Sequence, residues 1–193
     1  MPSGRTAKVL LPGPRANSFM ASSDGKREHV VAIEIERIDR PTDDVRALVT
    51  ELEAELAGQY EAHQRHGLSL DRIFQPNIAF FIVRLDGAAV GCGGIAFDSG
   101  FAELKRMYVR PAVRGNGVAQ ALIEKLEAEA RTRGYARLTL ETGDVLNAAM
   151  RLYQRSGFRP CAAFGDYTKL PAANIERSRF FEKHLTPPEG TGS

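Results

Sequence analysis

The chain contains no tryptophan, two cysteines and four histidines in 193 residues. Cys92 and Cys161 lie far apart, and neither has a histidine or cysteine neighbour at metal-ligand spacing. A disulfide framework and a zinc site are therefore not expected, and two reduced thiols suit a cytoplasmic protein. No sign of charge dominates: 26 Lys and Arg against 24 Asp and Glu give a formal net charge of +2, with the signs interspersed. Without a basic stripe, nucleic acid is not expected as a partner. Long apolar runs are missing as well. The most apolar stretch, around residues 78–83, falls far short of the ~20 residues that span a bilayer. The N-terminus has no apolar segment of the secretory type, so no membrane association is expected. His63 and His66 stand at His-x-x-His spacing, but no carboxylate or thiol lies in ligand register beside them. Two histidines do not close a metal site, so a solvated polar face is expected there and no metal. There is no internal repeat.

What is present is an ordinary globular composition, 43% apolar and 26% charged, at a length that suits one domain. Residues 1–28 are rich in Pro, Gly, Ser, Arg and Lys without periodicity and are read as a disordered segment. Met20 offers a second start within it. Residues 29–186 form the expected domain, and 187–193 a flexible tail.

Within the domain, the alternation of Val30–Ile38 predicts a half-buried strand. Thr42 or Asp43 caps a helix whose apolar face is Val45, Leu48, Leu52 and Leu56, fading near Gly58. Residues 60–75 are irregular. Asn77–Leu85, the Asp86-Gly87 turn, Ala88–Phe97, Ser99-Gly100 and Phe101–Val109 read as three antiparallel strands joined by hairpins. Val118, Leu122, Leu126 and Ala130 mark a helix ending near Gly134, with Glu127–Arg131 and Glu129–Arg133 pairs on its wet face. A strand through Leu138 and Leu140 follows as a right-handed parallel crossover. Asn147 caps a short helix ending at Gly157, and Phe158–Phe164 with Ile175–His184 close the chain as a strand pair.

The chain is organised around Glu103–Leu122, ELKRMYVRPAVRGNGVAQAL: strand, sharp turn, helix. Pro111 ends the strand. Arg114, Gly115, Asn116, Gly117, Val118 and Ala119 then turn the chain, and an apolar helical pattern starts at once. Glycine backbone, free N–H groups and a helix N-terminus make a place for a phosphate-type anion.

This stretch resembles the acyl-CoA site of the GNAT superfamily of N-acetyltransferases, whose pattern R/Q-x-x-G-x-G/A is filled by Arg114, Gly117 and Ala119. A second motif, Asn147…Tyr153 followed by Gly157-Phe158, resembles the same family, and the likeness covers about residues 30–185. The run Ser178–Lys183 is similar to the end of a bacterial small-molecule-type subgroup. The resemblance implies an α/β (α+β) acyl-CoA N-acyltransferase fold, a mixed central sheet with flanking helices. It also implies acetyl-CoA as co-substrate, a small-molecule amine as acceptor and dimerisation as a common assembly.

By the same resemblance, backbone from Arg114 to Ala119 surrounds the CoA pyrophosphate. The pantetheine arm pairs with the strand at Met107, Tyr108 and Val109, in a splay before the next strand. Asn147 bonds the arm, and Tyr153 protonates the leaving thiolate. An attacking amine must lose a proton, and Glu103 and Glu141 are the candidate bases; either could instead anchor the substrate ammonium or pair at the surface. Lys105 and Arg106 read equally as solvent-exposed or as contacts to a carboxylate or phosphate on the substrate or cofactor. The acceptor is expected near residues 58–76 and 164–174. The rival expectation is an acyl-CoA-binding sensor on the same fold without turnover.

Overall fold

The computed structural model describes residues 7–10 and 32–186. The segment read as disordered falls outside these residues except at Ala7–Leu10, which form a strand, β1, alongside the next one; the tail 187–193 lies outside them too.

The sheet runs β1, β2 (Ala32–Ile38), β3 (Ile78–Leu85), β4 (Ala88–Phe97), β5 (Ala102–Val109), β6 (Arg137–Gly143), β8 (Ser178–His184), β7 (Arg159–Pro160) in spatial order. β3, β4 and β5 are the expected antiparallel meander. The crossover after β5 lands β6 parallel to it, and every other pairing is antiparallel. Alternation divides β3 between two cores. Ala79, Phe81 and Val83 join the cluster under α2 (Val118–Thr132), while Phe80 and Ile82 join the one under α1 (Asp43–Ala57).

Thr42 caps α1, its hydroxyl oxygen accepting from the Val45 N–H at 3.3 Å, and Asp43 and Asp44 add acidic charge to the first turn. Val45, Leu48, Val49 and Leu52 are its buried face. α2 stops where Gly134 takes φ +78°, and the Tyr135 N–H returns to the Ala130 carbonyl. Both expected ion pairs of α2 form, Glu127–Arg131 at 3.4 Å and Glu129–Arg133 at 3.1 Å. Glu127, however, is buried and also meets Lys183 of β8, so that pair is not on the wet face.

Two boundaries differ from expectation. α3 (Asn147–Arg155) begins one residue early, since the Met150 N–H already bonds the Leu146 carbonyl at 3.0 Å; Leu146 is the cap and Asn147 the first helical residue. The closing strand pair is shorter than Phe158–Phe164 and Ile175–His184. Only Arg159 and Pro160 pair with β8, and the intervening chain forms a turn at Gly165–Lys169 and a short helix α4 at Ala172–Ile175. Pro160, without an N–H, suits the end of an edge strand. Among the described residues no helix is long and apolar enough to cross a membrane.

Candidate active site

β5 approaches β4 closely because β4 carries Gly91 and Gly93. A Cβ on Gly91 would stand 2.7 Å from the Tyr108 carbonyl oxygen, and one on Gly93 would stand 2.6 Å from the Met107 sulfur. Opposite Gly93 the register slips, and Arg106 takes φ +56°, a conformation few side chains adopt. The bulge re-aims the strand. On the other side, β5 pairs with β6 only through Ala102, Glu103 and Leu104, opposite Leu138, Thr139 and Leu140. From Lys105 onward the two strands separate, leaving β5 backbone beyond Leu104 without a ladder partner on that side. The side chains of Tyr108 and Val109 are buried and Met107 packs on the core under α2, so these three residues offer a ligand mainly backbone. Tyr108 donates its hydroxyl to Glu51 at 3.3 Å.

β5 then enters the turn. Pro111–Val113 form one tight helical turn, and Gly115 and Gly117 take φ +87° and +77°, with Gly117 capping α2. Among the described residues, no acceptor meets the backbone N–H groups of Gly115, Asn116, Gly117, Val118 or Ala119. Five unsatisfied donors at the positive end of a 15-residue helix make an anion cradle. Arg114 contributes less charge than its position implies. Its Nη2 donates to Glu55 of α1 at 2.6 Å and its Nε to the Val109 carbonyl at 2.8 Å. Asn116 Nδ2 donates back to the Val113 carbonyl at 3.3 Å, and Val118 is buried, anchoring the helix start.

At the other end of the splay lies a cleft of about 140 Å³, bounded by α1, residues 64–67, β5, β6 and α3. Glu103, Glu141 and Tyr153 all line it, so the structure gathers the three proposed proton-handling residues in one place. The two carboxylates have different surroundings. Glu103 is buried, 2.6 Å from the Lys105 ammonium, and accepts the Tyr167 hydroxyl at 2.9 Å. Glu141 accepts the Ser178 hydroxyl at 2.6 Å. Burial pushes its carboxyl above the ordinary range, with the Glu103 charge adding to the rise; the Ser178 bond, His66 and Lys105 oppose it. Burial, with a smaller push from Glu141, raises the Tyr153 phenol well beyond its usual range, so the hydroxyl stays protonated. The ring packs on Phe158 and Phe181, and the hydroxyl has no hydrogen-bond partner among the described residues.

The two segments expected near the acceptor cover the cleft together. His66 Nε2 lies 2.9 Å from the Asn174 carbonyl, which only accepts, so that nitrogen carries the proton. The His66 ring meets Tyr167 edge to face. Tyr60 accepts the Val145 N–H at 3.1 Å and lies over Gly143, where a Cβ would stand 2.0 Å from its hydroxyl. Arg177 covers the Tyr60 ring and donates to the Gln59 carbonyl at 3.0 Å.

Asn147 is apart from this group: it is exposed, does not line the cleft, and makes no side-chain hydrogen bond among the described residues. Solvent exposure is not the fate of Lys105 and Arg106. The bulge turns Arg106 inward, its side chain 5% exposed and bonded to Glu53 and the Leu68 carbonyl. Lys105 is held by Glu103 and Tyr167. Tyr60, Tyr167 and Ser178 were not anticipated as site residues. Among the described residues no cluster of three or more metal-ligating side chains exists.

The profile of the acetyltransferase (GNAT) family matches residues 42–158. An IAA acetyltransferase of Azospirillum brasilense is 39% identical over 145 residues, covering 74% of this chain and 92% of that protein. A solved Klebsiella pneumoniae protein, assigned as an acyl-CoA N-acyltransferase, is similar at 33% identity and TM-score 0.63, covering 79% of this chain and 97% of its own. A GNAT family acetyltransferase of Elizabethkingia anophelis, solved with acetyl-CoA bound, shares the fold at 20% identity and TM-score 0.57, covering 79% of this chain and 98% of its own.

Proposed function

The chain belongs to the acetyltransferase (GNAT) family and is an N-acetyltransferase, and on that premise we propose that it transfers an acetyl group from acetyl-CoA directly to the primary amine of a small molecule, an amino acid or related amine. The observation that carries the reading is the meeting of Glu141 and Tyr153 in one cleft, at the end of a strand splay whose other end is an anion cradle. A carboxyl with raised proton affinity and a phenol kept protonated suit a base and an acid in one reaction.

The residues fit acetyl-CoA in three places. The free N–H groups of Gly115–Ala119 take the pyrophosphate, with Arg114 beside them. The side of β5 that β6 leaves open at Met107–Val109 takes the amide-rich arm as an added strand. Asn147, exposed and unpartnered at the start of α3, is free to bond the arm from outside the cleft. The thioester supplies the activated acetyl group.

The chain's own part is proton handling. An alkylammonium must be deprotonated to attack, and Glu141 takes that proton, directly or through water. Glu103 is the weaker candidate, because an ammonium and a phenol already hold it. As the nitrogen–carbon bond forms and the carbon–sulfur bond breaks, the Tyr153 hydroxyl gives its proton to the departing sulfur. A cytoplasmic site of action is part of the proposal, in keeping with two free thiols. CoA release with a panel of amines tests the reading. Turnover supports it; acetyl-CoA binding without turnover of any amine points instead to an acyl-CoA-binding module on this fold.

A further inference from the structure

The acceptor end of the cleft carries a positive charge that the proton chemistry does not use. Arg65 and Arg106 both line it, and both are bonded to the same carboxylate, Glu53 of α1. Arg65 Nη1 meets Glu53 Oε2 at 3.3 Å, and Arg106 Nη1 takes Oε1. Lys105 and Glu103 neutralise one another nearby. One carboxylate therefore serves two guanidinium groups, and the Nε–H of each is buried without an acceptor among the described residues. Buried donors without partners are costly, and a guanidinium never deprotonates to escape that cost.

The two arginines differ in access. Arg106 is buried, capped by the Leu68 carbonyl and packed so tightly on Gly67 that a Cβ there would meet its guanidinium at 2.5 Å. Arg65 is 27% exposed, and the Glu53 bond is the only hydrogen bond of its side chain among the described residues. Arg65 is thus the arm that a ligand can reach. Phosphates of the acyl donor are not the anion in question, because the glycine turn contributes no residue to this cleft.

We propose that Arg65, backed by Arg106 and Glu53, forms a subsite for a carboxylate on the acceptor, so that the substrate is an amine that also carries a carboxylic acid. This rests on the transferase reading above. A planar guanidinium offers paired donors that match a carboxylate fork, and an acceptor carboxylate restores the one-to-one balance that Glu53 alone does not supply. The ammonium end then lies toward Glu141 and Glu103, the carboxylates of the same cleft. Arg65 is chosen for the test because truncating the buried Arg106 endangers folding.

The test compares kcat/KM at saturating acetyl-CoA for a panel of α- and ω-amino acids, the matching amides and the matching decarboxylated amines. The wild-type protein is expected to prefer an acid over its amide and amine by about 10- to 100-fold. Arg65→Gln is expected to collapse that preference by raising the acid's KM, with the KM for acetyl-CoA unchanged, and Arg65→Lys to restore part of it. Equal turnover of acid, amide and amine by the wild type, or a preference that survives Arg65→Gln, overturns the subsite and leaves the transferase standing. No turnover of any of them by protein that binds acetyl-CoA overturns the transferase reading and the subsite with it.

Discussion

Tyr167 donates its hydroxyl to Glu103 Oε1 across 2.9 Å, and this bond ties the turn at residues 165–169 to the strand that leads into the glycine turn. Lys105 Nζ stands 2.6 Å from the same oxygen and 2.7 Å from the Tyr167 oxygen, closing a triangle. Around it, Phe164 and Phe180 pack on the Tyr167 ring. The triangle engages both Glu103 and Lys105 and fastens the cover of the cleft to β5.

Tyr167→Phe keeps the ring and removes the bond. It is expected to destabilise the protein by about 1–3 kcal/mol, the range for a hydrogen bond to a charged group and the orphaning of a buried partner. Denaturant unfolding measures this. Affinity for acetyl-CoA should not change, because Tyr167 lines the cleft, to which the glycine turn contributes no residue.

Tyr153→Phe should lower kcat by about 10²- to 10⁴-fold, the usual worth of a positioned acid, while the Kd for acetyl-CoA stays as it was. The phenyl ring still packs on Phe158 and Phe181, so the fold is retained. Unchanged kcat removes Tyr153 from the proton path.

The acid limb of kcat/KM should belong to Glu141. Only its ionised form accepts a proton, and burial raises its pKa. Activity is therefore lost on acidification at a pH above the ordinary carboxylate range, and recovered as pH rises through the raised value. Glu141→Gln should abolish that limb together with most of the rate. A profile whose limb persists in Glu141→Gln and vanishes in Glu103→Gln would reverse the assignment.

Gly143 admits the Tyr60 ring, and Tyr60 is fixed by the Val145 N–H and by Arg177 above it. Gly143→Ala should displace the ring and loosen the cover. The expected signature is a higher KM for the amine with an unaltered Kd for acetyl-CoA, read by steady-state kinetics beside calorimetry.

These features were unequally legible in the sequence. Thr42 and the apolar spacing of Val45, Leu48 and Leu52 state α1 outright, since capping and helical periodicity are local. The glycine turn is legible for the same reason: Gly115 and Gly117 take backbone angles that side chains resist. Arg106 was not legible. Strand alternation sends it outward, and the bulge that turns it inward sits at a positive φ on a non-glycine residue, which no residue type announces. The Tyr167–Glu103 bond joins positions 64 residues apart, and the Tyr60–Val145 bond positions 85 apart. Such contacts arise from packing that no local pattern encodes. Asn147 shows the opposite case: the residue was legible, but its capping role shifted by one position to Leu146.

The most direct test of the central claim is calorimetric titration of the full chain with acetyl-CoA, beside Gly117→Glu. That substitution puts a side chain where φ is +77° and a negative charge at the mouth of the cradle. Affinity for the ligand is the right readout, because Val118 next to it is buried and its variants act on stability first. The account predicts micromolar binding by the wild-type protein and none by a folded Gly117→Glu. Absence of binding by folded wild type, or equal binding by the two, contradicts the placement of the acetyl donor on this turn.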